Sequence, residues 1–199
     1  MFKKAAMFGL DARIALAIFG ALSVISGAAL YSAIQQAKVV AIVADLREVH
    51  KAYEQYWLDT GEQLNRIGAL SFAVQELVED TRSLSGWNGP YLPYAKHASQ
   101  THALAYPAYD SVKIFGRSMN DSWAGTNGVD AVMPATCTGA EEPCGRWAMI
   151  ERMHSSLAEA IDEYIDGRVD YKNGSLRIYC ADATSCTVYY LDGSVEPTA

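Results

Sequence analysis

From Met7 to Trp57 the chain runs without a proline, and its character changes partway along. A polar start, Met7 to Arg13, leads into an uncharged apolar run from Ile14 to Leu30. From Val39 the pattern becomes amphipathic and stays so until Asp59-Thr60-Gly61. Val39, Ile42, Val43, Leu46, Val49, Tyr53, Tyr56 and Trp57 recur at helical spacing, while Lys38, Asp45, Arg47, Glu48, Lys51 and Glu54 fill much of the rest. The stretch predicts one long helix, its first half in a membrane and its second half packed on a folded domain. Gly61 stands where a glycine ends a helix. His50 reads as a solvated or capping residue on this stem.

The 199 residues suffice for one domain plus an anchor. A formal net charge of -7 argues against a nucleic-acid surface, which needs clustered Lys and Arg. Basic residues are scattered except for Lys3-Lys4, which place the amino end on the cytoplasmic side of a membrane. The four cysteines fall into two close pairs, Cys137 with Cys144 and Cys180 with Cys186. Neither has zinc-finger spacing, and an even count outside an apolar segment favours disulfides in an oxidising compartment. Three pairings are open, and the local one closes two short loops.

The apolar run is shorter than the roughly 20 residues that a spanning helix needs. Continuing through Tyr31, Ser32, Ala33 and Ile34 supplies the length. Arg13 can snorkel to the headgroups, whereas Asp11 needs a cationic partner. Three readings compete. One is a signal peptide cut near Ser26-Gly27-Ala28-Ala29. Another is a plain single-span anchor.

The third rests on a resemblance. A short basic leader, an acidic residue soon after it, and a long apolar helix resemble the start of type IV pilins and type II secretion pseudopilins. A cut between Ala6 and Met7 makes Asp11 the fifth mature residue and sets Ala17-Ile18-Phe19-Gly20 on the Ala-Ile-Ile-Gly often seen there. Gly86-Trp87-Asn88-Gly89-Pro90-Tyr91-Leu92 is similar to a turn phrase that follows the stem in many pilin-like proteins. The chain departs from the family at Ala6, Met7 and Asp11, where Gly, Phe and Glu are usual, and it lacks a common helix proline. A cut after Gly9 would restore the glycine but lose the acidic position.

The resemblance implies a structural subunit of a type IV pilus-like filament, or a secretion pseudopilin. The leader is residues 1–6, the stem 7–60 with its membrane and assembly half at 14–34, and the head 61–199. A prepilin peptidase would cut before Met7 and methylate it. Asp11 would then meet the positive amino terminus of a neighbouring stem, with Arg13 as the simpler intrachain partner. Small residues Gly20, Ala21, Ser23, Ser26, Gly27, Ala28 and Ala29 would allow close helix approach. The implied partners are further copies of the chain, other pilin-like subunits and the peptidase. The implied location is the bacterial inner membrane, then a periplasmic or extracellular filament, with head surface chemistry deciding among adhesion, uptake and secretion. A monomeric single-span periplasmic binding or sensor protein is the alternative.

The head reads as α+β with an antiparallel sheet. Leu64 to Leu70 is a linker or short turn, and Phe72 to Thr81 a short helix capped by Ser71. Trp87 and Tyr91 pack against the stem. Tyr109 to Arg117 and Arg146 to Glu151 read as strands. Ser155 or Ser156 caps a helix through about Ile165, with Leu157, Ala160, Ile161, Tyr164 and Ile165 inward and Asp166-Gly167 at its end. Ser175 to Tyr179 and Thr187 to Leu191 form a hairpin around the Cys180–Cys186 loop.

The four histidines, His50, His97, His102 and His154, form no metal motif. There is no nucleophile elbow, phosphate loop or dinucleotide fingerprint. No catalytic residue, cofactor or metal is therefore expected, and the chain does not read as an enzyme. Asn120 to Gly128 reads as a loop. Some pseudopilins bind calcium in a head loop, and Asp121, Asn127 and Asp130 offer oxygen ligands at spacing unlike an EF-hand.

Overall fold

The computed structural model describes residues 4–68, 71–119, 123–126 and 144–195. Helix α1 runs Lys4–Thr60. The chain divides into two compact units, Met1–Val40 and Ala41–Ala199. The expected stem end is met: Gly61 takes φ 71°, and its N–H bonds the Trp57 carbonyl at 2.8 Å. A left-handed residue just past the helix satisfies a terminal carbonyl that would otherwise lack a partner.

Within the second unit, Ile42, Val43, Leu46, Val49, Tyr53 and Tyr56 are buried, as their spacing predicts. Trp57 is not part of that stripe and is 50% exposed. His50 also corrects its reading as a solvated residue, since it is 3% exposed inside the core.

The sheet contains β1 (Arg66–Ile67), β2 (Ser71–Phe72), β3 (Leu104–Ala105), β4 (Ser111–Ser118), β5 (Gly125–Thr126), β6 (Cys144–Met153), β7 (Leu176–Asp182) and β8 (Ser185–Val195). Its order is β1-β2-β4-β6-β8-β7-β5, with β3 also paired to β4. All pairings are antiparallel except β5 with β7. The long strands fall on the expected segments at 109–117, 146–151, 175–179 and 187–191; β4 and β7 start later than expected, at Ser111 and Leu176, and all four run further at their C-terminal ends. The fold is α+β, with a long apolar N-terminal helix and a mostly antiparallel sheet.

Register divides the sheet into two faces, because successive side chains alternate sides. One face carries the rows Val112-Ile150-Val188-Ile178 and Ile114-Ala148-Tyr190-Leu176, all buried. It meets α1, where His50 lies edge-on to Tyr190 at 5.7 Å and the Arg146 guanidinium stacks on Tyr53 at 4.2 Å. The opposite face carries the row Lys113-Met149-Tyr189-Arg177. There Arg177, 1% exposed, stacks on Trp123 at 4.6 Å and Trp147 at 4.9 Å and donates to the Met119 carbonyl at 3.1 Å.

Several local expectations need correction. Residues 72–81 are not a helix: Ser71 pairs with Phe115 across the sheet, and only Val74–Leu77 forms a 3₁₀ turn. Recruitment by β4 overrides local helical patterning here. Leu64 to Leu70 is more than a linker, since Leu64 is buried and β1 lies within it. Helix α2 spans Ser155–Asp166, but its cap is His154, whose Nδ1 accepts from the Ser156 N–H at 3.3 Å. Gly167 ends it in the left-handed region, as expected. The inward face is Ala158, Ile161 and Asp162, and Tyr164 is 54% exposed.

Cys180 and Cys186 form a disulfide between directly opposed residues of β7 and β8. The strands continue past the cysteines, so Ala183-Thr184 is the turn, not the whole of Ala181 to Ser185. Cys144 is disulfide-bonded. Its expected partner Cys137 lies outside the described residues, as do Asp121, Asn127 and Asp130 of the calcium expectation. In the loop read at 120–128, Trp123 and Ala124 are buried and β5 joins the sheet.

Candidate membrane-spanning and assembly segment

In the first unit, α1 is long and apolar enough to cross a membrane, and its most apolar window is not buried at all. Leu16, Phe19 and Val24 are each more than 70% exposed, and Ile14, Ile18, Leu22, Ile25, Leu30 and Tyr31 more than half exposed. Water is a poor solvent for such a surface. At about 25 cal/mol per Å², its transfer to lipid or to other helices is the dominant favourable term available.

The polar atoms agree with an apolar surrounding. Ser23 donates its hydroxyl to the Phe19 carbonyl at 2.8 Å, so it presents no unsatisfied donor. A backbone in α-helix needs no outside hydrogen-bond partners across a bilayer. A Cβ added at Gly20 or Gly27 would meet nothing within 4 Å, so both backbones are open to close approach.

Asp11 and Arg13 are both exposed on the helix. They stand two residues apart, a spacing at which side chains do not face one another on a helix. Ala6 and Met7 lie within the helical backbone.

In the second unit the last turns of α1 are clasped by polar side chains. Tyr56 donates to Glu76 Oε2 at 2.7 Å, and Glu76 is 3% exposed. Arg82 reaches Tyr56 Oη at 3.3 Å, Glu76 Oε2 at 3.4 Å and the Gln63 carbonyl at 3.0 Å. Trp87 Nε1 donates to the Glu76 carbonyl at 2.9 Å, and Tyr91 donates to Asp59 Oδ2 at 3.0 Å. The Tyr91 ring sits edge-on to Tyr56 and to Trp87. Tyr91 thus packs on the stem as expected, and Trp87 reaches it through Tyr91.

Asp45 is one of the charged residues off the apolar stripe. It accepts a hydrogen bond from Tyr106, whose ring lies 5.5 Å from Tyr94. Burial and then the Asp45 charge push the Tyr94 hydroxyl up to about 12. These clasps were missed because a single Asp, Glu or His on a helix face gives no periodic signal.

One cluster that holds a hydroxyl beside charged groups is Ser111, Lys113 and Glu151. Ser111 Oγ lies 2.5 Å and Lys113 Nζ 2.7 Å from Glu151 Oε2. Ser111 is fully buried and donates to a carboxylate already neutralised by Lys113, so the arrangement satisfies charges and leaves the hydroxyl out of a substrate's reach. Among the described residues no group of three or more His, Cys, Asp or Glu could hold a metal ion. No family model, curated protein or solved structure matches the chain.

Proposed function

We propose that the chain is a structural subunit of a type IV pilus-like filament, anchored by α1 before assembly and polymerised through it afterwards. The observation that carries this reading is the unburied apolar length of α1, preceded by one acidic residue, Asp11. In a bilayer, lipid covers Leu16, Phe19 and Val24. In a filament, neighbouring stems replace lipid, and Gly20 and Gly27 admit close contact. Removal of residues 1–6 would free the Met7 amine. Asp11 would then pair with that amine on the next stem, because an unpaired carboxylate in apolar surroundings is strongly disfavoured. The chain would begin in the bacterial inner membrane and finish in a periplasmic or extracellular fibre.

The test is expression in a host with a filament assembly system, with shear fractions separated from membranes. Wild type and Asp11→Glu are expected in the filament fraction, and Asp11→Ala in the membrane fraction. Equal assembly of Asp11→Ala would remove the pairing from the account. Secretion pseudopilin and monomeric single-span periplasmic protein are the alternatives that the same helix serves. The monomer reading predicts no filament fraction for any variant.

A further inference from the structure

The connection from α2 to β7, residues 167–175, is tied down mainly by carboxylates. Asp162 Oδ2 accepts the Asp170 N–H at 2.7 Å, and Asp166 Oδ2 accepts the Leu176 N–H at 2.8 Å. Tyr171 donates its hydroxyl to Glu159 Oε1 at 2.6 Å, and its carbonyl accepts the Ile178 N–H at 3.0 Å. Asp170 in turn holds the Lys172 and Asn173 amides.

Asp162 is the unusual member. It is 0% exposed, and its Oδ1 has no hydrogen-bond partner. The charged groups around it are Asp166 on its own helix, and Asp170 and Arg168 in the connection. Arg168 lies 3.2 Å from Asp170 Oδ2, and its side chain is 70% exposed. The strands packed on α2 are β7 and β8. Arg168 pulls the other way, but its exposed guanidinium is engaged by Asp170. A buried carboxylate oxygen without a partner forfeits its hydration, and two further carboxylates nearby add repulsion.

We propose that Asp162 makes the 167–175 connection a proton-gated clasp: with Asp162 protonated the connection stays closed on α2, and with Asp162 ionised it opens so that Oδ1 gains water. The direction follows from linkage. Burial, then the neighbouring carboxylates, raise the Asp162 carboxyl to about 6, against the pull of the Asp170 N–H. In the open form the same carboxyl is hydrated and titrates near the ordinary value of about 4. The closed form therefore binds the proton more tightly, and opening grows as pH rises through about 4 to 6. Opening would also rearrange a patch of head surface, since Val169 in the connection and Tyr164 on α2 are both about half exposed. The inference stands apart from the filament reading.

The experiment is hydrogen exchange of the Asp170 and Leu176 amides in the full chain in detergent, corrected for the intrinsic rate, from pH 5 to pH 7. The Asp170 protection factor should fall about tenfold over that range. Asp162→Asn should abolish the slope. Tyr171→Phe loosens the same connection without touching the titrating group, so it should lower protection at every pH and keep the slope. A flat or rising protection factor in the wild type would overturn the clasp, and so would a slope that survives in Asp162→Asn. Should Asp162→Asn not fold, the wild-type and Tyr171→Phe slopes still decide.

Discussion

The Tyr56 hydroxyl donates to Glu76 Oε2 at 2.7 Å, and Arg82 lies within 3.4 Å of both groups. This joins the last turns of α1 to the 3₁₀ turn twenty residues later. A hydrogen bond to a charged acceptor contributes about 1.5–3 kcal/mol. Tyr56→Phe keeps the ring against Tyr91 and removes only that bond. It should lower unfolding stability by about 2 kcal/mol in urea titration, with the m-value unchanged. A change below about 0.5 kcal/mol would mean that Arg82 alone holds Glu76.

Gly86 opens the turn phrase noted in the sequence, and the structure supplies a reason for glycine there. Its φ is 90°, and a Cβ would run into the Asp59 carbonyl at the end of the stem. Both the left-handed backbone and the close approach penalise any side chain. Gly86→Ala should cost about 3 kcal/mol or more, read as a drop in Tm by scanning fluorimetry. Gly61→Ala carries a positive φ with open space around it, so it should cost only about 1 kcal/mol.

The Cys180–Cys186 bond closes a short loop within one hairpin. Short loops lose the least entropy on closure, so the bond stands at the low end of the usual range. The double variant Cys180→Ser/Cys186→Ser should lose about 2 kcal/mol and keep its far-ultraviolet circular dichroism. Unchanged stability would show that strand pairing alone sets this register.

His102 supplies a pH effect of opposite sign to Asp162. Burial, then the nearby Lys113 charge, hold its imidazole below the ordinary value. A depressed histidine favours the fold while neutral, so its contribution is present above about pH 6.5 and is lost as pH falls below that. The loss should stay below about 1 kcal/mol because His102 is only partly buried. Denaturation midpoints of wild type and His102→Gln at pH 7.5 and pH 5 check it, with the variant expected to change less.

Much of this architecture is legible in the chain. Glycine after an amphipathic run fixes the ends of both helices, at Gly61 and Gly167, because a backbone requirement leaves a local mark. Alternation finds the long strands for the same reason. What fails is decided by distant contacts. Ser71 and Phe72 carry a helical pattern locally, yet Phe115 draws them into the sheet. Asp162 is not among the apolar positions that mark the inward face of α2, yet it is buried and accepts the Asp170 amide. His50 reads as solvated, but its Nε2 lies 3.0 Å from the Tyr190 carbonyl, 140 residues away. No pattern within the stem could announce that partner. Of the amino-terminal segment, the apolar length is legible and is borne out, while the proposed processing at Ala6 and Met7 is tested only by chemistry on the chain.

The central claim is therefore tested most directly at the amino terminus. The full chain would be expressed in a host carrying a prepilin peptidase, and its amino-terminal peptide weighed by mass spectrometry. The account predicts a chain beginning at N-methylated Met7, with Asp11 as its fifth residue. An intact Met1 would contradict it and leave a plain membrane anchor. A start near residue 30 would contradict it differently, by making the apolar run a signal peptide and removing the segment on which the proposed assembly rests.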